Sequence, residues 1–219
     1  TITAPSFEMV EITDPKALIT KEYLEANASG STGLEALDEG NGIGWRLIGG
    51  SPSFYGPIGS DAVYLSDSDL VSENYGATGN HSVAMGDKTE ASGTSSTATG
   101  RTTEASGLYS TAMGNGTTAS GRSSTSLGSS TGAAGDYSTA MGKDTRAFGE
   151  NSTAMGLDTY SYANASTAIG KFNYTDLNGL FVVGNGSSTS NRNNALVIKE
   201  NGNAIFDAEI QRPSTGSAN

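Results

Sequence analysis

SVAMG (residues 82–86), STATG (96–100), STAMG (110–114), STSLG (124–128), STAMG (138–142), STAMG (152–156) and STAIG (166–170) are seven versions of one segment, fourteen residues apart. No copy between Glu73 and Gly170 carries an insertion or a deletion. A second glycine column precedes the first by seven residues, at Gly79, Gly93, Gly107, Gly121, Gly135 and Gly149, with Ala163 standing there in the last copy. A fixed period without drift marks a solenoid, in which each copy is one coil stacked on the next.

The columns predict what each coil contains. Two glycines seven residues apart suggest two short strands per coil, each followed by a tight turn that needs a residue tolerant of unusual φ. One strand is the STAMG segment, and the other centres on Ala91, Ala105, Ala119, Ala133, Ala147 and Ser161. Helix is disfavoured throughout by the glycines and by the abundant Ser and Thr. Small side chains imply a narrow interior. The column Met85, Thr99, Met113, Leu127, Met141, Met155 and Ile169 is therefore expected to face something larger, most simply the same column of another copy. At the usual spacing of stacked strands, seven coils span roughly 34 Å.

The paired half-turns, TxAxG then S-[TV]-A-[MI]-G, resemble the YadA-like head of trimeric autotransporter adhesins over residues 73–170. The resemblance implies an all-β fold, a left-handed parallel β-roll of 14-residue coils, with three rolls side by side in a homotrimer. It also implies that Met85, Met113, Leu127, Met141, Met155 and Ile169 form a trimer or core column. No coiled-coil stalk or membrane anchor of the kind that family carries is expected within these residues.

The flanks divide the rest. Residues 1–32 form an N-terminal connector, in which Asp14 caps a short helix over residues 14–27 with Pro15 at its first position. Residues 33–72 form a capping β region. The turn at Asn41-Gly42 leads into a strand from Ile43 to Ile48, where Trp45, the only tryptophan, is expected to cap the open end of the core. The β-roll is extended to residues 73–184 by KFNYTDLNGLFVVG, which keeps the period and puts Val183 in the apolar column. Residues 185–219 contain a β-hairpin around Asn201-Gly202 and a disordered tail. KALITKEY (residues 16–23) and FVVGNG with its hairpin also resemble segments of phage tail-fibre proteins.

Composition narrows the function. The net charge of −11 divides into −8 over residues 1–72, −3 over 73–170 and zero over 171–219, so no basic stripe offers itself to nucleic acid. There is no cysteine, hence no disulfide framework or thiolate metal site. No apolar run approaches the about 18 residues of a membrane span, so this segment is not expected to insert into a membrane. The single histidine, His81, is expected on the surface, which leaves no triad and no histidine metal cluster. Asp67, Ser68 and Asp69 lack the spacing of a calcium loop. No catalytic, cofactor or metal site is expected, and the chain is not expected to be an enzyme.

Surface recognition remains. Tyr109 and Tyr137 share a column two coils apart, and Phe148, Tyr160 and Tyr162 cluster on the next coils. These five are the candidate contacts for a protein or glycan receptor. The expected function is an extracellular trimeric fibre head that attaches to a surface, with a phage or injection-machine tail fibre as the alternative. Two threonine columns, Thr89 to Thr159 and Thr97 to Thr167, raise a third possibility, an ice-binding solenoid.

Overall fold

The computed structural model describes residues 33–48, 55–66 and 75–206. The helix expected over residues 14–27, the aspartates at 67 and 69, and the C-terminal tail lie outside these residues. Among the described residues there are eighteen strands and no helix.

The strands fall into a long sheet and a short one. The long sheet begins with β1 (Leu34–Asp38), β2 (Ile43–Leu47), β3 (Val63–Leu65), β4 (Val83–Asp87) and β5 (Thr97–Arg101). It continues through β7 (Thr111–Asn115), β9 (Thr125–Ser129), β11 (Thr139–Lys143), β13 (Thr153–Leu157) and β15 (Thr167–Lys171). It closes with β16 (Gly179–Asn185), β17 (Asn194–Lys199) and β18 (Ala204–Phe206), making thirteen strands. The short sheet stacks β6 (Glu104–Ala105), β8 (Thr118–Ala119), β10 (Gly132–Ala133), β12 (Arg146–Ala147) and β14 (Tyr160–Ser161). From β2 to β16 the long sheet is parallel, a solenoid of about nine turns. Antiparallel pairs, β1 with β2 at one end and β16–β17–β18 at the other, close the two ends of the ladder.

Register follows the repeat. Each strand of β4, β5, β7, β9, β11, β13 and β15 pairs with the residue fourteen positions on, so that Met141 lies beside Met155 and Leu127 beside Met141. The first two steps are longer: Trp45 pairs with Val63 and Val63 with Val83. The in-and-out alternation of the strands is kept across both longer steps.

The column Gly86 to Gly170 has the unusual φ expected of it, from +98° to +128°, but the column Gly79 to Gly149 does not, and other residues hold the corners. The left-handed backbone positions are held by His81, Ser95, Tyr109, Ser123, Tyr137, Asn151 and Ala165 in one column, with Lys88, Thr102, Gly116, Ser130, Asp144, Asp158 and Phe172 in the other. The first column from His81 on and the second from Thr102 on donate their backbone N–H to a carbonyl of the preceding coil, as Tyr137 does to Arg122 at 2.7 Å, so the ladder turns these corners unbroken. The glycines serve the stacking. At Gly128 φ is +123°, and a Cβ there would lie 2.0 Å from the carbonyl oxygen of Gly142. Gly121 has no positive φ, yet a Cβ would meet the Gly135 oxygen at 2.1 Å. Coils stack so closely at both columns that hydrogen is the only side chain that fits.

The interior is as narrow as the sequence implies. Alanines of both sheets, Ala84 to Ala168 and Ala91 to Ala147, fill it together with the columns Ser82 to Ser166 and Thr89 to Thr159. The bulky side chains sit at the ends: Tyr55, Ile58 and Tyr64 at one, Val182 and Val197 at the other. This corrects the placement of Trp45, which points outward and is 41% exposed. The open end is filled instead by Tyr55 and Tyr64, with Arg46 over the Tyr55 ring at 5.5 Å and tied to Glu35 at 2.6 Å. Alternation decides this: Arg46 faces in, so its neighbour Trp45 faces out.

Candidate functional site

In the five-residue strands, the second residue, an Ala or Ser, points into the roll, which turns its neighbours on both sides outward. The outer face of the long sheet therefore carries two files. One is Val83, Thr97, Thr111, Thr125, Thr139, Thr153, Thr167 and Phe181; the other is Met85, Thr99, Met113, Leu127, Met141, Met155, Ile169 and Val183. The seven residues of the expected trimer or core column all fall in the second file. They line the outside of the roll, with Met85, Met113 and Met155 exposed to 37%, 44% and 42%. Leu127, Met141, Ile169 and Val183 are half-buried by their neighbours along the file.

No charged residue stands in either file from Val63 to Val183. Charge begins in the next column, where Asp87 and Arg101 pair at 3.3 Å. The face is an apolar stripe with a polar margin, the composition of a protein–protein contact.

The threonine columns separate. Thr97 to Thr167 line the outer face, whereas Thr89, Thr103, Thr117, Thr131, Thr145 and Thr159 are fully buried. A buried ladder cannot order external water, so only the Thr97 to Thr167 column remains on the surface of the two that raised ice binding.

The aromatic candidates lie elsewhere. Tyr109 and Tyr137 occupy left-handed corner positions and are 54% and 48% exposed, with the Arg122 guanidinium 6.0 Å from the Tyr137 ring. Phe148 and Tyr162 follow β12 and β14, and their rings stack at 4.6 Å with 24° between planes. Tyr160 meets Tyr162 edge-on at 6.3 Å. The structure thus joins Phe148, Tyr160 and Tyr162 into one aromatic strip and keeps Tyr109 and Tyr137 apart from it.

Behind Tyr160 is a cluster that sequence reading missed. Arg192 lies 4.3 Å from the ring, bonds Asp158 Oδ1 at 2.6 Å, and donates to the carbonyls of Asp158 and Asn173. Burial and the neighbouring Asp158 carboxylate push the Tyr160 phenol above its usual value, so it stays protonated at neutral pH. The arrangement straps the segment after β16 to the last coil. It is a clamp, with no nucleophile or acid–base pair in it. A signal existed in the sequence, since Arg192 is the one basic residue in an otherwise uncharged loop.

His81 is exposed at its corner, 3.5 Å from the Asp61 carboxylate. Among the described residues no three His, Cys, Asp or Glu side chains gather as a metal site would require. No helix among them is long and apolar enough to cross a membrane.

No curated protein matches the chain. The family model of the YadA head domain repeat matches it four times, at residues 77–103, 105–131, 133–159 and 147–173. The matched stretch covers the regular coils and stops where β16 begins to close the sheet. Residues 77–173 are thus similar to the YadA head domain repeat.

Proposed function

We propose that the chain is the non-enzymatic head of an extracellular trimeric fibre, and that it attaches to a surface as trimeric adhesins do. The observation that carries this reading is the uncharged outer stripe of the long sheet. The roll fills its own interior with alanine, serine and threonine, and leaves its methionines, leucine and isoleucine outside. A soluble chain that displays such a file down a rigid rod has a reason to do so when copies cover one another's stripe. Three copies side by side also present three equivalent sets of outward aromatics. Tyr109, Tyr137, Phe148, Tyr160 and Tyr162 supply flat apolar rings for a protein or glycan receptor, and weak sites in triplicate act as one strong one.

Light scattering on the intact chain tests the assembly. A mass three times 22.2 kDa supports it, and a monomer defeats it. Met141→Glu and Met113→Glu place charges in the stripe and should release monomers that keep their β-sheet spectrum. The receptor assignment is tested separately. Replacing Tyr109 and Tyr137 by Ser should weaken attachment to cells or matrix while leaving trimer mass and melting temperature unchanged; full attachment by that variant would remove these two tyrosines from the site.

A further inference from the structure

We propose that the contact between copies extends beyond the repeats into both flanks, from Trp45 on β2 to Phe206 on β18, and that the flanking strands strengthen it. This rests on the trimer reading above and adds to it where the seam begins and ends.

Register carries the argument. Trp45 pairs with Val63, and Val63 with Val83, so the tryptophan heads the outer file that continues as threonine through the repeats. Leu65 pairs with Met85 and heads the other file. At the far end Val183 pairs with Leu196 and Leu196 with Phe206, while Phe181 pairs with Ile198. Inward residues of these same strands, Val182 and Val197, are buried, which confirms that their neighbours face out.

The files also change character at both ends. Through the repeats one file is threonine, small and half-polar. In β3 the two outward residues are Val63 and Leu65, and in β16 they are Phe181 and Val183. The stripe is thus most apolar where the repeat has ended, and Phe206 at its last strand is 60% exposed.

Charge identifies the occupant. In a symmetric assembly identical files lie close together, so any charge there would face its own kind. A chain carrying −11 needs a charge-free face for copies to approach, and the stripe keeps that property from Trp45 and Val63 through Leu196 and Phe206. A second copy fits it, and a charged partner has nothing to pair with.

Trp45 is the sole tryptophan, so its fluorescence reports this seam alone. The test compares emission and acrylamide quenching of the intact chain with those of Met141→Glu, each with its mass measured in the same buffer. A trimer whose emission is blue-shifted and whose quenching constant is at least about twofold lower than that of the monomeric variant supports the proposal. A trimer whose tryptophan quenches as freely as the monomer's overturns it and leaves the trimer itself standing. A monomeric wild-type chain overturns both. At the other end, Phe206→Glu should raise the dissociation constant of the assembly at least about tenfold, as like charges brought together would, and an unchanged constant would confine the seam to the repeats.

Discussion

Asn173 stands in for a missing strand beside Tyr160. Its side-chain oxygen accepts the Tyr160 backbone N–H at 2.7 Å, and its side-chain NH2 donates to the Tyr160 carbonyl at 2.8 Å. β14 is the last strand of the short sheet, and its open edge would otherwise present both groups unpaired. One amide side chain thus supplies the pairing that the next coil supplies everywhere else. Asn194 makes the same pair of bonds to Tyr174.

Removing that amide should be costly. Asn173 is fully buried, so Asn173→Ala leaves two backbone groups without partners, at an expected loss of about 2 kcal/mol in denaturant unfolding. Asn173→Asp keeps the acceptor for the N–H and loses the donor, and should fall below the alanine variant because it also buries a carboxylate facing a carbonyl. Chain concentration is held fixed, since assembly shifts apparent stability. An alanine variant as stable as wild type would mean that water satisfies the edge equally well.

Close stacking makes the two glycine columns intolerant in a way that depends on the coil above. Gly121→Ala would drive a methyl to 2.1 Å from the Gly135 oxygen, and the rigid backbone on the other side cannot yield. The expected loss is at least about 3 kcal/mol. Gly116 has φ of +64° but nothing closer than 3.8 Å, and its column elsewhere holds Thr102, Ser130 and Asp144 in the same conformation. Gly116→Asp should therefore change stability by no more than about 0.5 kcal/mol. Thermal melts of the pair decide whether stacking or φ governs, and equal losses would refute the stacking account.

The breaks in the repeat were the informative positions, and the sequence displayed them without showing their use. Ala163 replaces glycine in the coil whose short-sheet strand, β14, is the last of that sheet. Asn173 stands fourteen residues after Thr159, the first departure in the buried threonine column, and it departs to reach Tyr160. The solenoid, its register and the outward file were legible because a strict period fixes which residues are neighbours. The placement of Trp45 was not, because the steps into the first coils are eighteen and twenty residues rather than fourteen. Arg192 and Asp158 lie thirty-four positions apart, and no periodicity links them.

Buried hydroxyls give a third prediction, one of opposite sign at two equivalent positions. Thr117 is fully buried and its hydroxyl has no hydrogen-bond partner. Thr131, one coil further on, shares a hydrogen bond of 2.7 Å with Ser126, the serine that replaces the usual inward alanine. Thr117→Val exchanges an unpaired hydroxyl for a methyl of the same shape and should leave stability equal or higher. Thr131→Val strands the Ser126 hydroxyl and should cost about 1 kcal/mol, and Ser126→Ala in the same chain should restore most of the loss. Unfolding curves for wild type, the two valine variants and the double variant check this; a loss at Thr117 matching that at Thr131 would show that the interior hydroxyls find partners in solution.

Stability should also respond to pH through the short sheet. Glu90 and Glu104 bridge on adjacent coils, and Ser92 and Ser106 each donate a hydrogen bond to the glutamate two residues before them. Burial holds the Glu90 carboxyl above its ordinary value of 4.5; the Ser92 hydroxyl opposes that shift, and the Glu104 charge adds to it. Lys88 and Tyr75 line the same surface groove. Because the folded state holds this proton more tightly than the unfolded chain, its contribution is fully present below pH 4.5 and is lost as pH rises through the raised value. Glu90→Gln keeps an acceptor for Ser92 and cannot ionise. It should match or exceed wild type at neutral pH, and its advantage should shrink as pH falls through the weakly acidic range. Urea unfolding at a series of pH values measures the difference. If that difference is constant from pH 4 to 7, the Glu90 proton is held no more tightly in the roll than in the unfolded chain.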